Sequence, residues 1–260
     1  MLDELYAGAL ADASRRSELI SVAQLEEQIQ SVREPRPISD LKTRSRVGII
    51  AEIKRASPSK GPLADIPNAS KLAKEYEQAG ASMISVLTEE RKFRGSLDDL
   101  NEVSATVECP VLRKDFIANR YQVLEARANG ADVVLLIVAG LDQAKLEELF
   151  NFAGELGMSC LVETHSQDEF LRAVDIGAKF IGINARDLTT FETDRELFGK
   201  LAKLAPKEAT LVAESAVRDV SDVIAYAASG ADAVLVGEAL VKGDHNALLS
   251  EFSQIPKIRI

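Results

Sequence analysis

The sequence predicts an α/β fold in which eight parallel strands, each followed by a helix, close into a barrel. The first observation is an internal repeat, because a Gly-Ala pair followed by an apolar run occurs at residues 80–88, 130–138, 177–184 and 230–237. Successive repeats start about 50 residues apart, roughly twice the length of one strand–helix unit. The second observation is a set of further apolar runs that supplies the missing strands, at residues 47–54, 109–116, 158–164 and 209–215.

Helical patterns between these runs are the third observation. Several end in glycine, which is common just after a helix, as in KLAKEYEQAG, YQVLEARANG and QDEFLRAVDIG. Continuous Val, Ile and Leu runs suit strands that are buried on both faces, as in parallel sheets. Eight such units favour a (β/α)8 TIM barrel. An open doubly wound sheet is the alternative, but no glycine-rich dinucleotide-binding motif follows any of the strands.

Residues 1–46 precede the repeats. They contain two helical patterns, a proline-containing hinge at EPRPISD and a short basic stretch, LKTRSR. A segment of this size is too small to form a core of its own. We therefore expect an N-terminal helical extension that packs against one end of a barrel formed by residues 47–260, in one domain overall.

Charge and composition restrict the possible partners. The formal net charge is −10, which argues against nucleic acid and anionic membranes. No apolar run approaches the length of a transmembrane helix, and the acidic N-terminus is unlike a signal peptide. Cys109 and Cys160 border apolar runs, so free thiols in a reducing compartment are favoured over a disulfide. We expect a cytoplasmic protein that has no structural zinc site, because His165 and His245 are its only histidines.

Charged and polar residues follow seven of the eight strands, and only the fourth strand ends in apolar residues. In barrels of this class catalytic groups lie at these strand ends, where the loops meet. The polar strand-end residues are Glu52, Lys54, Arg55, Glu89, Lys114, Asp115, Glu163, Asn184, Arg186, Glu214, Ser215 and Glu238. The alternative for any one of them is an ion pair at the barrel mouth. Several charges in one concavity cost desolvation that packing alone does not select, so the mouth is predicted to be a functional site.

Loops at the same end predict an anionic ligand. The loop ASPSKGPL carries Ser57 and Lys60, and the segments AESAVR and GEALVKG present backbone N–H groups at helix starts. Such N–H groups after strands 7 and 8 are the usual phosphate site of this fold. Phe93 and Phe116 follow strands 2 and 3 and are candidates for an aromatic-binding wall.

Eight motifs occur in order across residues 47–241: EIKRASPSKG, VLTEERKFRGSLDDL, PVLRKDFI, GADVVLLIV, LVETH, IGINARDL, VAESAV and VLVGEALV. Together they resemble the indole-3-glycerol-phosphate synthase family of tryptophan biosynthesis. The resemblance implies closure of the indole ring of 1-(2-carboxyphenylamino)-1-deoxyribulose 5-phosphate, with loss of carbon dioxide and water. It implies no cofactor and no metal.

The resemblance also implies roles for individual residues. Lys114 would be the general acid, and Glu163 a base or proton partner in the dehydration. Lys54 would hold an anionic substrate group or assist a proton transfer. The remaining catalytic candidates, Glu52, Asn184, Glu214 and Ser215, would orient these groups and the substrate hydroxyls. The substrate-binding candidates are Arg55, Ser57, Phe93, Phe116, Leu135 and Arg186, and the phosphate-binding ones are Ala216, Gly237 and Glu238. We expect neighbouring cations to lower the pKa of Lys114.

One residue departs from the family pattern, because Ala216 stands where the motif AESG has glycine. Alanine would be strained there if the backbone needs a positive φ. The expected partner is a small sugar phosphate that carries an anthranilate ring. We expect a monomer, and association with other enzymes of the tryptophan pathway stays open. The alternative functions are a Schiff-base aldolase using Lys114, a sugar-phosphate isomerase, and a non-catalytic barrel that binds sugar phosphates.

Overall fold

Eight parallel strands form a closed barrel in the computed structural model, which describes residues 1–187 and 192–258. Each strand pairs with its neighbours in chain order, and the first strand also pairs with the last. The strands are β1 (Gly48–Ile53), β2 (Met83–Leu87), β3 (Val111–Lys114), β4 (Val133–Ile137), β5 (Ser159–Thr164), β6 (Phe180–Asn184), β7 (Thr210–Glu214) and β8 (Ala233–Val236). The predicted (β/α)8 barrel is confirmed, and the open sheet is excluded.

Helices surround the barrel and continue into the N-terminal segment. Most of those that follow strands begin at an Asn, Ser or Asp whose side chain accepts a backbone N–H of the first turn, as at Asn68, Ser96 and Asp142. The helices are α1 (Leu2–Leu19), α2 (Val22–Ile29), α3 (Asp40–Thr43), α4 (Ala69–Gln78), α5 (Leu97–Thr106), α6 (Arg120–Ala128), α7 (Gln143–Glu155), α8 (Gln167–Asp175), α9 (Leu197–Ala202), α10 (Val220–Ala228), α11 (Glu238–Lys242) and α12 (His245–Phe252). Within the described ranges, none of the helices is long and apolar enough to span a membrane.

The core lies inside the barrel and between the barrel and its helices, so the strands are buried on both faces. All six residues of β1 are buried, for example. Two aspartates fix the strands at the amino-terminal end, which we call the floor. Asp132 accepts the N–H of Val111 at 2.7 Å, and Asp232 accepts the N–H of Leu211 at 3.0 Å. Each aspartate belongs to a Gly-Ala-Asp repeat and joins its own strand to the preceding one.

The segment formed by residues 1–46 contacts both ends of the barrel. Helix α1 lies at the mouth, where the ring of Tyr6 packs edge-on against Phe116 with centroids 5.6 Å apart. Helix α2 packs along the side, with Leu25 against α6. Further on, Arg33 forms an ion pair with Asp132 at 2.6 Å on the floor. The extension was expected to pack against one end only, but its contacts reach both the mouth and the floor.

The floor is also where α3 lies. Leu41 is 1% exposed and packs beneath the start of β1. Lys42 donates to Asp232 at 3.0 Å and to the carbonyl of Ala209 at 2.7 Å. Residues 1–46 therefore link the floor to the mouth, where the candidate site lies.

Candidate active site

A cavity of about 650 Å³ opens at the carboxyl ends of the strands. Its wall contains fifteen of the sixteen residues that the sequence singled out as catalytic or binding groups. They are Glu52, Lys54, Ser57, Phe93, Lys114, Phe116, Leu135, Glu163, Asn184, Arg186, Glu214, Ser215, Ala216, Gly237 and Glu238. Residues from every strand end and from α1 therefore meet in one concavity.

Arg55 is the predicted residue that the structure does not bring into the cavity wall. Its guanidinium lies 2.5 and 2.9 Å from the two carboxylate oxygens of Asp99 and also donates to the carbonyl of Ile66. Side chains alternate along an extended chain, so Arg55 points away from the side that Lys54 faces. Its bonds join the first loop to α5.

The charged residues at the end of β3, Arg113, Lys114 and Asp115, lie in two different environments. Lys114 points into the cavity. Arg113 is fully buried outside the barrel wall, where it donates to Thr88 at 3.0 Å, to Asp115 at 2.9 Å and to the carbonyl of Gln122 at 2.7 Å. These bonds satisfy a buried guanidinium and fix the strand end that carries Lys114.

Lys114 lies at the centre of the charged part of the cavity. Its Nζ lies 2.9 Å from Glu163 Oε2 and 2.6 Å from Glu214 Oε2. Burial alone would disfavour the ammonium and lower its pKa. The carboxylates of Glu163, Glu214 and Glu52 outweigh burial and raise the pKa above the ordinary lysine value. The expected lowering is therefore wrong, because carboxylates from three other strands surround the ammonium.

Glu163 and Glu214 share one ammonium, but their pKa values shift in opposite directions. For Glu214, burial and the neighbouring charge of Glu163 raise the pKa above its usual range. For Glu163, burial acts in the same direction, but Lys114 and His165 hold the pKa well below its usual range. The backbone makes room for this pair, because a Cβ atom at Gly182 would lie 2.0 Å from Glu214 Oε1.

A short hydrogen-bond chain continues from Glu163 along the next two strand ends. Asn184 donates through Nδ2 to Glu163 Oε1 at 3.1 Å, and its Oδ1 accepts from Ser215 Oγ at 2.7 Å. The backbone N–H of Arg186 also donates to Asn184 Oδ1 at 3.0 Å. These bonds fix the amide orientation of Asn184, so that its N–H groups face the carboxylate.

Across the cavity, a cation and an aromatic wall lie side by side. Lys54 Nζ lies 3.3 Å from Glu52 Oε1 and 5.4 Å from the centroid of the Phe93 ring. The rings of Phe93 and Phe116 are 6.1 Å apart, and Tyr6 supports Phe116 from the other side. The arrangement suits a flat ring that carries a negative charge, because the ring meets apolar walls and the charge meets an ammonium.

The turn after β7 has an unusual backbone. Ser215 and Ala216 have φ values of 67° and 62°. These values lie in the left-handed region, which is unfavourable for residues other than glycine. Their carbonyl oxygens accept from Tyr226 at 3.3 Å and from Arg195 at 3.0 Å, respectively. These two bonds stabilise the turn. The backbone at Ala216 therefore has the positive φ at which alanine was expected to be strained.

The opposite rim is held by ion pairs. Glu238 at the start of α11 lies 2.6 Å from Lys60 of the first loop and 2.8 Å from Lys242. Burial alone would raise its pKa, but the two ammonium groups lower the pKa of Glu238 to about 2. Lys60 therefore lies beside the helix start that the sequence predicted as part of a phosphate site.

Several wall residues were not foreseen from the sequence. Leu5 belongs to α1, whose apolar face does not reveal where it packs, and Arg195 lies in a loop segment without a motif. Arg218 ends the segment AESAVR, which was expected to contribute only backbone N–H groups. His165 contacts Glu163 and was treated only as an isolated histidine. In the described part of the chain, no group of three or more His, Cys, Asp or Glu side chains has the arrangement of a metal site.

Comparison with known proteins decides the family. The profile described as "Indole-3-glycerol phosphate synthase" matches residues 2–252. The chain belongs to the indole-3-glycerol phosphate synthase family. A family member from Leifsonia xyli subsp. xyli is 57% identical over 97% of both chains. One from Mycobacterium avium is 49% identical over 96% of this chain and 93% of its own. The resemblance inferred from the motifs is thereby confirmed.

Solved structures share the barrel at much lower identity. An N-acetylmannosamine-6-phosphate 2-epimerase from Clostridium perfringens superposes with a TM-score of 0.62, covering 82% of this chain and 93% of its own. A 3-hexulose-6-phosphate synthase from Salmonella typhimurium has a TM-score of 0.66, with 80% and 97% covered. Both are 15% identical to this member of the synthase family, so they show the fold alone.

Proposed function

We propose that this chain converts 1-(2-carboxyphenylamino)-1-deoxyribulose 5-phosphate into indole-3-glycerol phosphate, carbon dioxide and water. The family supports this reaction, and one observation carries the assignment of roles. A single ammonium, that of Lys114, lies between the carboxylates of Glu163 and Glu214 at the end of a cavity with an aromatic wall. A proton donor and a proton acceptor are therefore within reach of one bound molecule.

Ring closure is assigned to Lys114. As the aromatic carbon that bears the carboxylate attacks the ketone, negative charge develops on the ketone oxygen. The Lys114 ammonium stabilises that charge and donates its proton to the oxygen. Its raised pKa keeps Lys114 protonated before substrate binds. The oxygen becomes a hydroxyl group on the former ketone carbon, and the attacking aromatic carbon still carries the carboxylate.

Decarboxylation follows at that carbon and restores the aromatic ring. The electrons of the broken carbon–carbon bond return to the ring, so no acceptor is needed. Phe93, Phe116 and Leu135 surround this position with apolar side chains, and desolvation of the carboxylate favours its loss. Lys54 holds the carboxylate until it leaves, since its ammonium lies over the Phe93 ring.

Dehydration is assigned to Glu163. The new hydroxyl group leaves as water with a proton from a lysine, and the ring carbon next to nitrogen loses a proton to a base. Glu163 is ionised because its pKa is held low, so it accepts this proton. Asn184 and Ser215 fix the orientation of Glu163 through their hydrogen-bond chain, while Glu52 and Glu214 hold the two lysines.

The phosphate is assigned to the rim between the β7 and β8 loops. Backbone N–H groups at Ala216, Gly237 and Glu238 lie at turns and helix starts, which favour anions. The Glu238 carboxylate is paired with Lys60 and Lys242, so it need not repel the ligand. Arg186 and Ser57 complete the predicted contacts.

We further propose how the chain is organised. Residues 1–46 act as an extension of the barrel formed by residues 47–260, because residues along the whole segment contact the barrel. We assign the protein to the cytoplasm as a monomer, and association with other enzymes of the tryptophan pathway is compatible with this proposal.

The test is direct. Purified protein is incubated with the carboxyphenylamino substrate, and the appearance of indole absorbance and fluorescence is followed. Turnover with release of one carbon dioxide per indole supports the proposal. Binding without indole formation would support a non-catalytic barrel. A borohydride-trapped adduct on Lys114 would instead indicate a Schiff-base aldolase.

A further inference from the structure

His165 is a buried titratable residue that the steps above do not use. It follows the end of β5 two positions after Glu163, and its side chain is 8% exposed. Nε2 lies 3.1 Å from Glu163 Oε1, and Nδ1 lies 3.2 Å from Glu169 Oε2. The Nε2–H bond points off the line to its oxygen, so the contact with Glu163 is an ion pair rather than an aligned hydrogen bond. The ring thus lies between two carboxylates.

Glu169 is itself fixed by the start of α8. Its backbone N–H donates to Ser166, the N-cap residue, at 3.2 Å. Its carboxylate also accepts the backbone N–H of His165 at 2.8 Å. The start of the helix therefore holds the Glu169 carboxylate in place. A rotation of the His165 ring would break its contacts with Glu163 and Glu169.

Two carboxylates make the imidazole a cation. Burial alone would favour the neutral ring, but Glu163 and Glu169 raise the pKa of His165 to about 10. Among the described residues, the charges that act on the ring are those of Glu163 in β5 and Glu169 in α8. At neutral pH the ring therefore carries a positive charge 3.1 Å from the proposed base.

This cation distinguishes Glu163 from Glu214. Lys114 contacts both carboxylates at similar distances, so it cannot decide which one is ionised. Glu163 has His165 and the Asn184 amide as further partners on Oε1. By contrast, Glu214 Oε1 is buried without a hydrogen-bond partner. The hydroxyl of Tyr6 in α1 donates to the carbonyl of Ile137 at 3.4 Å. Burial and the charge of Glu163 raise the pKa of Tyr6, so the hydroxyl stays neutral.

We propose that His165 is a positioning residue of the proposed reaction, and that its imidazolium, held by Glu169, places the negative charge of the carboxylate pair on Glu163 rather than on Glu214. The inference rests on the proposed function, because it concerns which carboxylate is available as the base. Pairs of titratable groups with opposite shifts usually mark distinct acid and base roles.

The kinetic test uses His165→Asn, which removes the cation. Without it, Glu163 should bind a proton more readily, so the acid limb of the kcat profile should move to higher pH by about 1–3 units. Glu169→Gln should move the limb in the same direction and leaves the ring in place, which covers the case that His165→Asn does not fold. The matched control is His245→Asn, since His245 pairs with Glu75 and does not line the cavity. Its profile should match that of the wild type.

A second measurement is independent of turnover. The chain has two histidines, so nitrogen NMR of the ring resonances reports on His165 once His245→Asn has identified the other signals. The His165 ring should remain doubly protonated well above pH 7, and its titration should move to lower pH in Glu169→Gln. A ring that is neutral at pH 7, or an acid limb that stays in place in both variants, would overturn the proposal. Failure of the wild type to form indole would instead overturn the proposed function, while the ring titration would still decide the charge of His165.

Discussion

Lys114 Nζ and Glu163 Oε2 are 2.9 Å apart, so the proposed acid and the proposed base form an ion pair before any substrate enters. Each group therefore sets the charge state of the other. A substitution that removes one of the two charges also changes the pKa of the other group. A substitution that keeps the charge distinguishes electrostatic anchoring from proton transfer.

Lys114→Arg tests the proton donor, because it keeps the positive charge between the two carboxylates. Guanidinium releases its proton far less readily than ammonium. General acids contribute about 10²–10⁴ in rate, so kcat should fall by at least 100-fold. Substrate Kd should change much less, because the phosphate contacts remain. The control is Lys145→Arg on the outer face of α7. Near-normal kcat in Lys114→Arg would make Lys114 an anchor, with Lys54 the next candidate for the donor.

Glu163→Gln tests the base with a nearly isosteric amide. It should lower kcat by about 10²–10⁴ because an amide cannot accept the proton in the dehydration. An intermediate that has lost carbon dioxide but not water should accumulate, and quenched-reaction mass spectrometry would detect it. Glu214→Gln is the matched comparison, since it also removes a carboxylate from Lys114. Accumulation of the same intermediate in Glu214→Gln would assign the base to Glu214 instead.

Tyr6→Leu tests whether α1 shapes the aromatic wall. The ring of Tyr6 supports Phe116, and an aromatic pair contributes about 0.5–1.5 kcal/mol beyond its buried area. We expect KM to rise by about 2–10-fold while kcat changes less. Leu10→Ala on the same helix is the control, because Leu10 is exposed. Equal effects of the two substitutions would indicate a general loss of helix docking.

Ala216→Gly should stabilise the protein, because it places glycine at a φ of 62°. Glycine relieves the left-handed strain but increases the entropy of the unfolded chain. The net gain in the free energy of unfolding is up to about 1 kcal/mol. That corresponds to a rise in Tm of about 2–4 °C. Ala225→Gly in the exposed face of α10 should lower Tm, since glycine is unfavourable inside a helix. A lower Tm for Ala216→Gly would mean that the turn prefers alanine.

Chelation should leave the activity unchanged. The position between Glu163 and Glu214, where a cation would be attracted, holds the Lys114 ammonium. Turnover is compared before and after dialysis against EDTA, with a divalent ion added back as the control. A large loss that magnesium or zinc restores would contradict the proposed chemistry.

The sequence predicted the barrel because its strands are continuous apolar runs, which parallel strands require on both faces. Lys114 was predicted at the mouth because it follows the third strand, and the resemblance to the family supplied its role. Arg55 was wrongly predicted to contact the substrate, because its actual partner, Asp99 on α5, is 44 residues further along the chain.

Charge balance at the site was not predictable, because it depends on residues that are distant in sequence. The pKa of Lys114 was expected to fall since the neighbouring motif residues are cations. Its actual partners, Glu163 and Glu214, are 49 and 100 residues away. His165 was overlooked for the same reason, as Glu169 reaches it only when α8 has formed.

The contacts of Lys42 on the floor have a consequence for synthesis on the ribosome. Lys42 is made early, but its partner Asp232 lies 190 residues later. Lys42 therefore lacks this ion-pair partner while most of the chain is being translated. Nascent chains that stop before Asp232 should be cleaved by protease near residues 40–46, and longer ones should be protected. The contact between Lys42 and Asp232 on the floor thus forms only when the last strand, β8, is being completed.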